Sequence, residues 1–473
     1  MVVVPTETLV LAEREALFDR YADRVSVNPD LDRTLVSFQA NKAEPAYRWF
    51  KYKEGFSSRL VEHFLMRLAD RPGVLLDPFA GAGAALFAAR DLGWDTVGIE
   101  LLPVGFYVMD ARQTAERVAP EKLTAEIQRV GSADLAECAG EAFAFPHITI
   151  TEDAFLPRTE KEIAGYLAYC EKKVRDPGVR KLLRFAAFCV LEEVSFTRKD
   201  GQYLRWDHRS ARREVRGHFH KGRIPPFREA VLRKLGEIAD DLAHRHLFAR
   251  PPGRRGSIDL HQGSCLEVLP GMKAASIDFV LTSPPYCNRY DYTRTYALEL
   301  AFLGQTNEQV KDLRQAMLSC TVENREKGED LRRFYAERSR LGAWNRVDRT
   351  FNEQAALQEV LSALDALREA DKLNNPNIAR MVRNYFYEMA FVVAELARIL
   401  KPGGKAVMVN DNVRYAGEEV PVDLILSDFA ESFGLSVRHI WTLPRGKGNS
   451  SQQMGVHGRQ ELRKCVYVWE KPQ

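Results

Sequence analysis

Ser283-Pro284-Pro285-Tyr286 places a hydroxyl, two prolines and an aromatic ring at four consecutive positions, directly after the apolar run 276–282. Proline has no backbone N–H and fixes φ, so the turn is stiff and its carbonyls are free of sheet pairing. Those carbonyls and the serine hydroxyl are hydrogen-bond acceptors that can face a cleft. An amino group whose lone pair is delocalised into a ring is a poor nucleophile. Two acceptors that take both of its hydrogens favour a pyramidal nitrogen with a localised lone pair. Ser283 Oγ and the Pro284 carbonyl are the candidate acceptors. Tyr286 can stack on a flat substrate, an interaction worth about 1–3 kcal/mol for a base.

A second group of residues suits an adenosine. Residues 77–84 read DPFAGAGA, between the apolar Val74-Leu75-Leu76 and a helical stretch. Gly81 and Gly83 allow a tight turn and close approach of a ligand. Glu100 ends the next apolar run, 19 residues after Gly81. A carboxylate there can accept hydrogen bonds from both ribose hydroxyls. Position 86 is Leu, so the third glycine of a GxGxxG dinucleotide loop is missing, and no phosphate-loop lysine follows. Adenosine without a pyrophosphate is the better fit.

Parallel strands must position both groups. Residues 73–100 read as strand, glycine turn, helix, strand, which argues for a parallel sheet. Sheet-forming blocks are expected at 72–113, 256–290 and 383–473, interrupted by two long helical segments. Gly403 and Gly404 are expected to end a helix and turn the chain into a strand. The expected organisation is an N-terminal helical extension (1–40), a catalytic domain (41–113, 256–299 and 381–473), and two insertions (114–255 and 300–380).

With these residues in view, DPFAGAG resembles the cofactor loop of the amino-methyltransferases, DPFxGxG. TSPPY is similar to their catalytic tetrapeptide, [DNS]-PP-[YFW]. The resemblance implies an α/β, class I (Rossmann-like) methyltransferase fold with a seven-stranded sheet of order 3-2-1-4-5-7-6. It implies S-adenosyl-L-methionine as cofactor, held by Asp77, Phe79, Gly81, Gly83 and Glu100, with Ser283 beside it. Residues 50–65 resemble the segment over the methionine end of the cofactor, where Phe56 and Ser57 are candidates. An acid frequent after the third strand is replaced by Gly263-Ser264-Cys265, so adenine is expected against Ser264 or a backbone amide. Ser283, Pro284, Pro285 and Tyr286 would act on a base flipped out of double-stranded DNA. The serine form points to cytosine N4. Alternatives are N6-adenine methylation, RNA base methylation, and a catalytically silent nucleic-acid-binding protein. RNA enzymes usually carry DPPY and a separate RNA module, neither of which is present.

The chain has 473 residues and a formal net charge of only +3, yet residues 196–224 hold nine Lys or Arg against three acids. Arg198, Lys199, Arg205, Arg209, Arg212, Arg213 and Arg216 are candidates for phosphate contact, with Tyr203, Trp206 and Phe219 interleaved for stacking. A solvated face knitted by salt bridges is the competing reading. Arg289 and Arg294 follow the tetrapeptide and can flank an extruded base. The basic loop 444–460 can also reach the substrate. The order of motifs resembles enzymes whose target-recognition region lies between them, here 114–255. No PD-(D/E)xK signature or helicase phosphate loop is present. Cleavage in a restriction or defence setting would therefore need a separate chain. No apolar run reaches membrane-spanning length, and the N-terminus lacks the pattern of a secretory signal. Seven scattered cysteines without CxxC spacing suggest no metal site and a reducing bacterial cytoplasm.

Overall fold

The computed structural model describes residues 12–138, 143–200, 203–212, 219–244, 255–444 and 462–473. One sheet contains β1 (Val25–Val27), β2 (Val74–Asp77), β3 (Asp95–Glu100), β4 (Ile258–Gln262), β5 (Ile277–Thr282), β6 (Leu400–Asp411), β7 (Ser436–Thr442) and β8 (Lys464–Glu470). Their spatial order is β1-β7-β8-β6-β5-β2-β3-β4. Every pairing is parallel except the two made by β8. Without β1, the other seven strands counted in chain order run 3-2-1-4-5-7-6.

The additional strand, β1, lies within residues 1–40, for which a mainly helical extension is expected. Ala12–Tyr21 is a helix, but Val25–Val27 pairs in parallel with Ile440–Thr442. An uncovered edge leaves a row of unpaired N–H and C=O groups. The short Val-Ser-Val segment, with β-branched residues that favour extended backbone, covers it. The glycine pair needs a second correction. The helix Ile378–Ile399 stops before it, and β6 starts at once with Leu400. Pro402 disfavours helical backbone at Lys401. Gly403 sits inside the strand at φ +75°, its N–H donating to Lys471 O at 2.8 Å.

Period-two alternation gives each face of the sheet its own apolar set. Val407, Val409, Val466 and Val468 meet helices Ser58–Leu68 and Ala84–Asp91. Ala406, Met408, Tyr467 and Trp469 meet helices Ile378–Ile399 and Val422–Ser432. Each fully buried large side chain contributes about 1.5–3 kcal/mol.

Helices Pro103–Ala115, Pro120–Ser132, Pro157–Lys173, Pro177–Val194 and Phe227–Ala243 build a separate apolar cluster. Four of them start on proline, whose missing N–H costs nothing at a helix start. A hairpin of Thr197–Asp200 and Tyr203–Trp206 lies beside them. Its Lys199 corrects an expectation. The side chain is buried rather than free for phosphate, with Nζ 2.6 Å from Glu299 Oε1. Nζ also lies 4.9 Å and 4.5 Å from the ring centroids of Phe50 and Tyr296.

Removing one partner of a buried pair strands the other charge. Lys199→Met should therefore destabilise the protein by about 3–5 kcal/mol in urea unfolding. Lys199→Met combined with Glu299→Leu should cost less than the single change.

Candidate active site

Strands β2, β3, β4 and β5 run parallel, so their carboxyl ends lie on one side of the sheet. Strand order reverses between β2 and β5, which opens a crevice at those ends. Asp77 closes β2 and Thr282 closes β5. Thr282 Oγ1 donates to Asp77 Oδ1 at 2.6 Å, and Phe79 N–H donates to the same oxygen at 3.1 Å. Burial pushes the Asp77 carboxyl up to about 7, against the lowering effect of these two donors.

Gly81 and Gly83 adopt φ of +54° and +79°, backbone that side chains with a Cβ rarely take. A Cβ on Gly81 would also come within 2.9 Å of the Tyr52 ring. Gly81 N–H donates to Glu100 Oε2 and Leu102 N–H to Oε1, each at 2.6 Å. Burial raises Glu100 to about 7, and nearby Asp77 adds to the rise, while the two amides oppose it. Each Glu100 oxygen keeps a lone pair for a further donor.

Tyr52, Asp77, Phe79, Gly81, Glu100 and Leu102 border one cavity of ≈ 1020 Å³, its open mouth included. Of the residues expected from sequence, Phe56, Asp77, Phe79, Gly81, Glu100, Ser264, Ser283 and Pro285 line it. Four do not. Ser57 is the N-cap of Ser58–Leu68: Oγ accepts from Leu60 N–H and donates to Leu35 O. Gly83 sits at the start of Ala84–Asp91, where an added Cβ would strike Phe87 and Met109. Pro284 is buried. Tyr286 lies beside the cavity, and Ser283 Oγ donates to its hydroxyl at 3.3 Å. That donation leaves the serine lone pairs as acceptors.

The cavity fits an adenosine-bearing ligand. Glu100 offers acceptors for a ribose, Ile99, Leu101 and Leu102 supply an apolar wall, and Ser264 a polar group. Thr282, whose hydroxyl holds Asp77, was not legible in the sequence: it precedes the tetrapeptide and reads as an ordinary strand residue. Tyr52 and Glu54 line the cavity; they fall within 50–65, the segment expected over the methionine end of the cofactor, where the resemblance names only Phe56 and Ser57. The Glu54 carboxylate accepts from Tyr290, and from the Tyr296 hydroxyl at 2.7 Å. Tyr52 stacks on Tyr296 with ring centroids 5.2 Å apart.

The basic residues follow the salt-bridge reading more than expected. Arg209 Nε lies 2.7 Å from Asp207 Oδ1. Arg212 covers the Trp206 ring at 4.7 Å and donates to the carbonyls of Thr149 and Ile150. Arg294 pairs with Asp291 and Glu323 at 3.1 Å and 2.7 Å, and Arg289 donates to Asn374 at 3.0 Å. Arg198 and Arg205 are exposed, 5.9 Å and 4.8 Å from the Phe219 ring, with Asp200 3.5 Å from Arg205. Arg213, Arg216, the Tyr203 side chain and residues 445–460 lie outside the described residues. Among the described residues, no helix is long and apolar enough to cross a membrane.

No family model matches the chain. It is 46% identical over 470 residues to the type II methyltransferase M.AvaI of Nostoc sp. (strain PCC 7120), covering 97% of this chain and 93% of that protein. The same figures hold for the M.AvaI of Anabaena variabilis. Identity to the type II methyltransferase M.BsoBI of Geobacillus stearothermophilus is 37% over 477 residues, covering 97% of this chain and 92% of that one. Likeness at this level spans both of the motif-bearing loops and everything between them, and the chain belongs to the type II methyltransferases.

Proposed function

We propose that this protein is a site-specific DNA methyltransferase that uses S-adenosyl-L-methionine to methylate the exocyclic N4 amino group of cytosine. It would serve as the modification partner of a restriction endonuclease carried on a separate chain. The observation that supports this reading best is that Gly81, Glu100, Ser283 and Pro285 border one cavity. A ribose acceptor and an amino-group acceptor therefore belong to the same site. The bound cofactor would supply an electrophilic methyl group, so no covalent enzyme intermediate is required. Glu100 would hold the ribose, and the Gly81 loop would let the ligand approach the backbone. Ser283 Oγ and the Pro284 carbonyl would accept the amino hydrogens. Tyr286 would stack on the base, offsetting part of the few kcal/mol that flipping costs. The serine of the tetrapeptide favours cytosine over adenine. Residues 114–255 would read the target and 300–380 would help clamp the duplex.

Expression in a methylation-free host, followed by sequencing that separates N4-methylcytosine from N6-methyladenine, tests the reading. N4-methylcytosine at one short sequence is expected. N6-methyladenine there would overturn the choice of base, and unmodified DNA would overturn the activity. Ser283→Ala should lower turnover by roughly 10²-fold, the scale of one lost pre-organised hydrogen-bonding group. Calorimetry should find its cofactor affinity intact.

The raised Glu100 carboxyl predicts a pH effect. Ribose hydroxyls donate to the ionised form and so favour it. Cofactor affinity measured by calorimetry should fall as pH drops below about 7, by up to about tenfold per pH unit. Glu100→Gln should bind more weakly at pH 8 and lose most of that dependence.

Arg198 and Arg205 are the candidates for phosphate contact on the hairpin. Replacing both with Ala should weaken DNA binding and reduce its salt dependence by about one unit of slope per arginine. Cofactor affinity should not change.

A further inference from the structure

Methylation of an amino group leaves a proton to be removed. The nitrogen lone pair forms the N–C bond while the S–C bond breaks and its electron pair stays on sulfur. The nitrogen then carries a positive charge until one N–H bond releases its proton and keeps its electrons. Ser283 Oγ and the Pro284 carbonyl accept hydrogen bonds, but both are too weakly basic to keep that proton. Among the described residues, three carboxylates line the cavity: Glu54, Asp77 and Glu100. Asp77 is tied to Thr282 and Phe79, and Glu100 to the amides of Gly81 and Leu102. Glu54 comes from a different segment, and its donors Tyr290 and Tyr296 belong to the stretch that follows the tetrapeptide.

On this basis, and resting on the amino-methyltransferase reading above, we propose that Glu54 receives the proton lost by the target amino group. Two phenol hydroxyls steady its carboxylate without neutralising it, and each oxygen keeps a lone pair. The phenols of Tyr52, Tyr290, Tyr292 and Tyr296 face it, as do the ammonium groups of Lys53 and Lys199. Lys199 is itself paired with Glu299 and lies near Glu192. Withdrawal from solvent raises Glu54 above the ordinary carboxylate range, although the phenols and ammonium groups oppose the rise. A raised value brings a general base closer to neutral pH, where it works best. The protonated side chain would return its proton to water after product leaves.

The test compares the unsubstituted protein, Glu54→Gln and Glu54→Asp on unmethylated genomic DNA at saturating cofactor, following labelled methyl incorporation against pH. Calorimetry reports cofactor affinity for each. Glu54→Gln should lose about 10²-fold in rate, keep its cofactor affinity, and lose the decline in rate at low pH. Glu54→Asp should recover part of the rate together with that decline. An undiminished rate in Glu54→Gln overturns the proposal. So does a slower rate with the original low-pH decline, which would mark Glu54 as a structural clasp. A loss confined to cofactor affinity overturns it too, making Glu54 a partner of the cofactor's ammonium group. Absence of methyl transfer by the unsubstituted protein would overturn the parent reading and this one with it.

Discussion

The hydrogen bond from Thr282 to Asp77 crosses the seam where the strand order reverses, and both parts of the site depend on it. It joins the last residues of β2 and β5, 205 positions apart in the chain. One of these strands leads into the glycine loop and the other into the tetrapeptide. A displacement of either loop therefore pulls on the other. A buried hydrogen bond to a group that can ionise contributes about 1.5–3 kcal/mol. The Phe79 amide on the same oxygen fixes how the loop leaves the strand.

The same crevice places Asp77 and Glu100 close enough that one raises the proton affinity of the other. Two carboxylates withdrawn from water are costly to ionise together. A ligand that brings positive charge and hydroxyl donors relieves both costs at once. A sulfonium cofactor with an amino-acid tail and a ribose has those groups. The apolar wall of Ile99, Leu101 and Leu102 is a dry surface on which a flat ring can lie.

The helical segments between the motifs show why basic composition is not the same as a basic surface. Residues 196–224 carry an excess of positive charge in the sequence, yet much of it is engaged internally. Lys199 is buried against Glu299, Arg209 is fastened to Asp207, and Arg212 sits over the Trp206 ring. Arg198 and Arg205 remain exposed over Phe219. A guanidinium can stack on a ring and keep its donors outward, so such an arginine still suits a phosphate.

Local chemistry made part of this protein readable from its residues alone. Glycines in a turn, consecutive prolines, short apolar runs and the spacing of an acid after a glycine loop each act over a few positions. They disclosed the Gly81 loop, the tetrapeptide, Glu100 and the strands of a mainly parallel sheet. Short segments with weak patterns were not disclosed. Val25–Val27 became a strand only because the edge of β7 needed a partner, and Ser57 turned out to serve its own helix. Tertiary structure alone brought Glu54 under Tyr290 and Tyr296, more than 200 positions away, and turned Lys199 inward. The fate of a charged side chain depends on which distant groups surround it and how much water remains, and no local pattern encodes either.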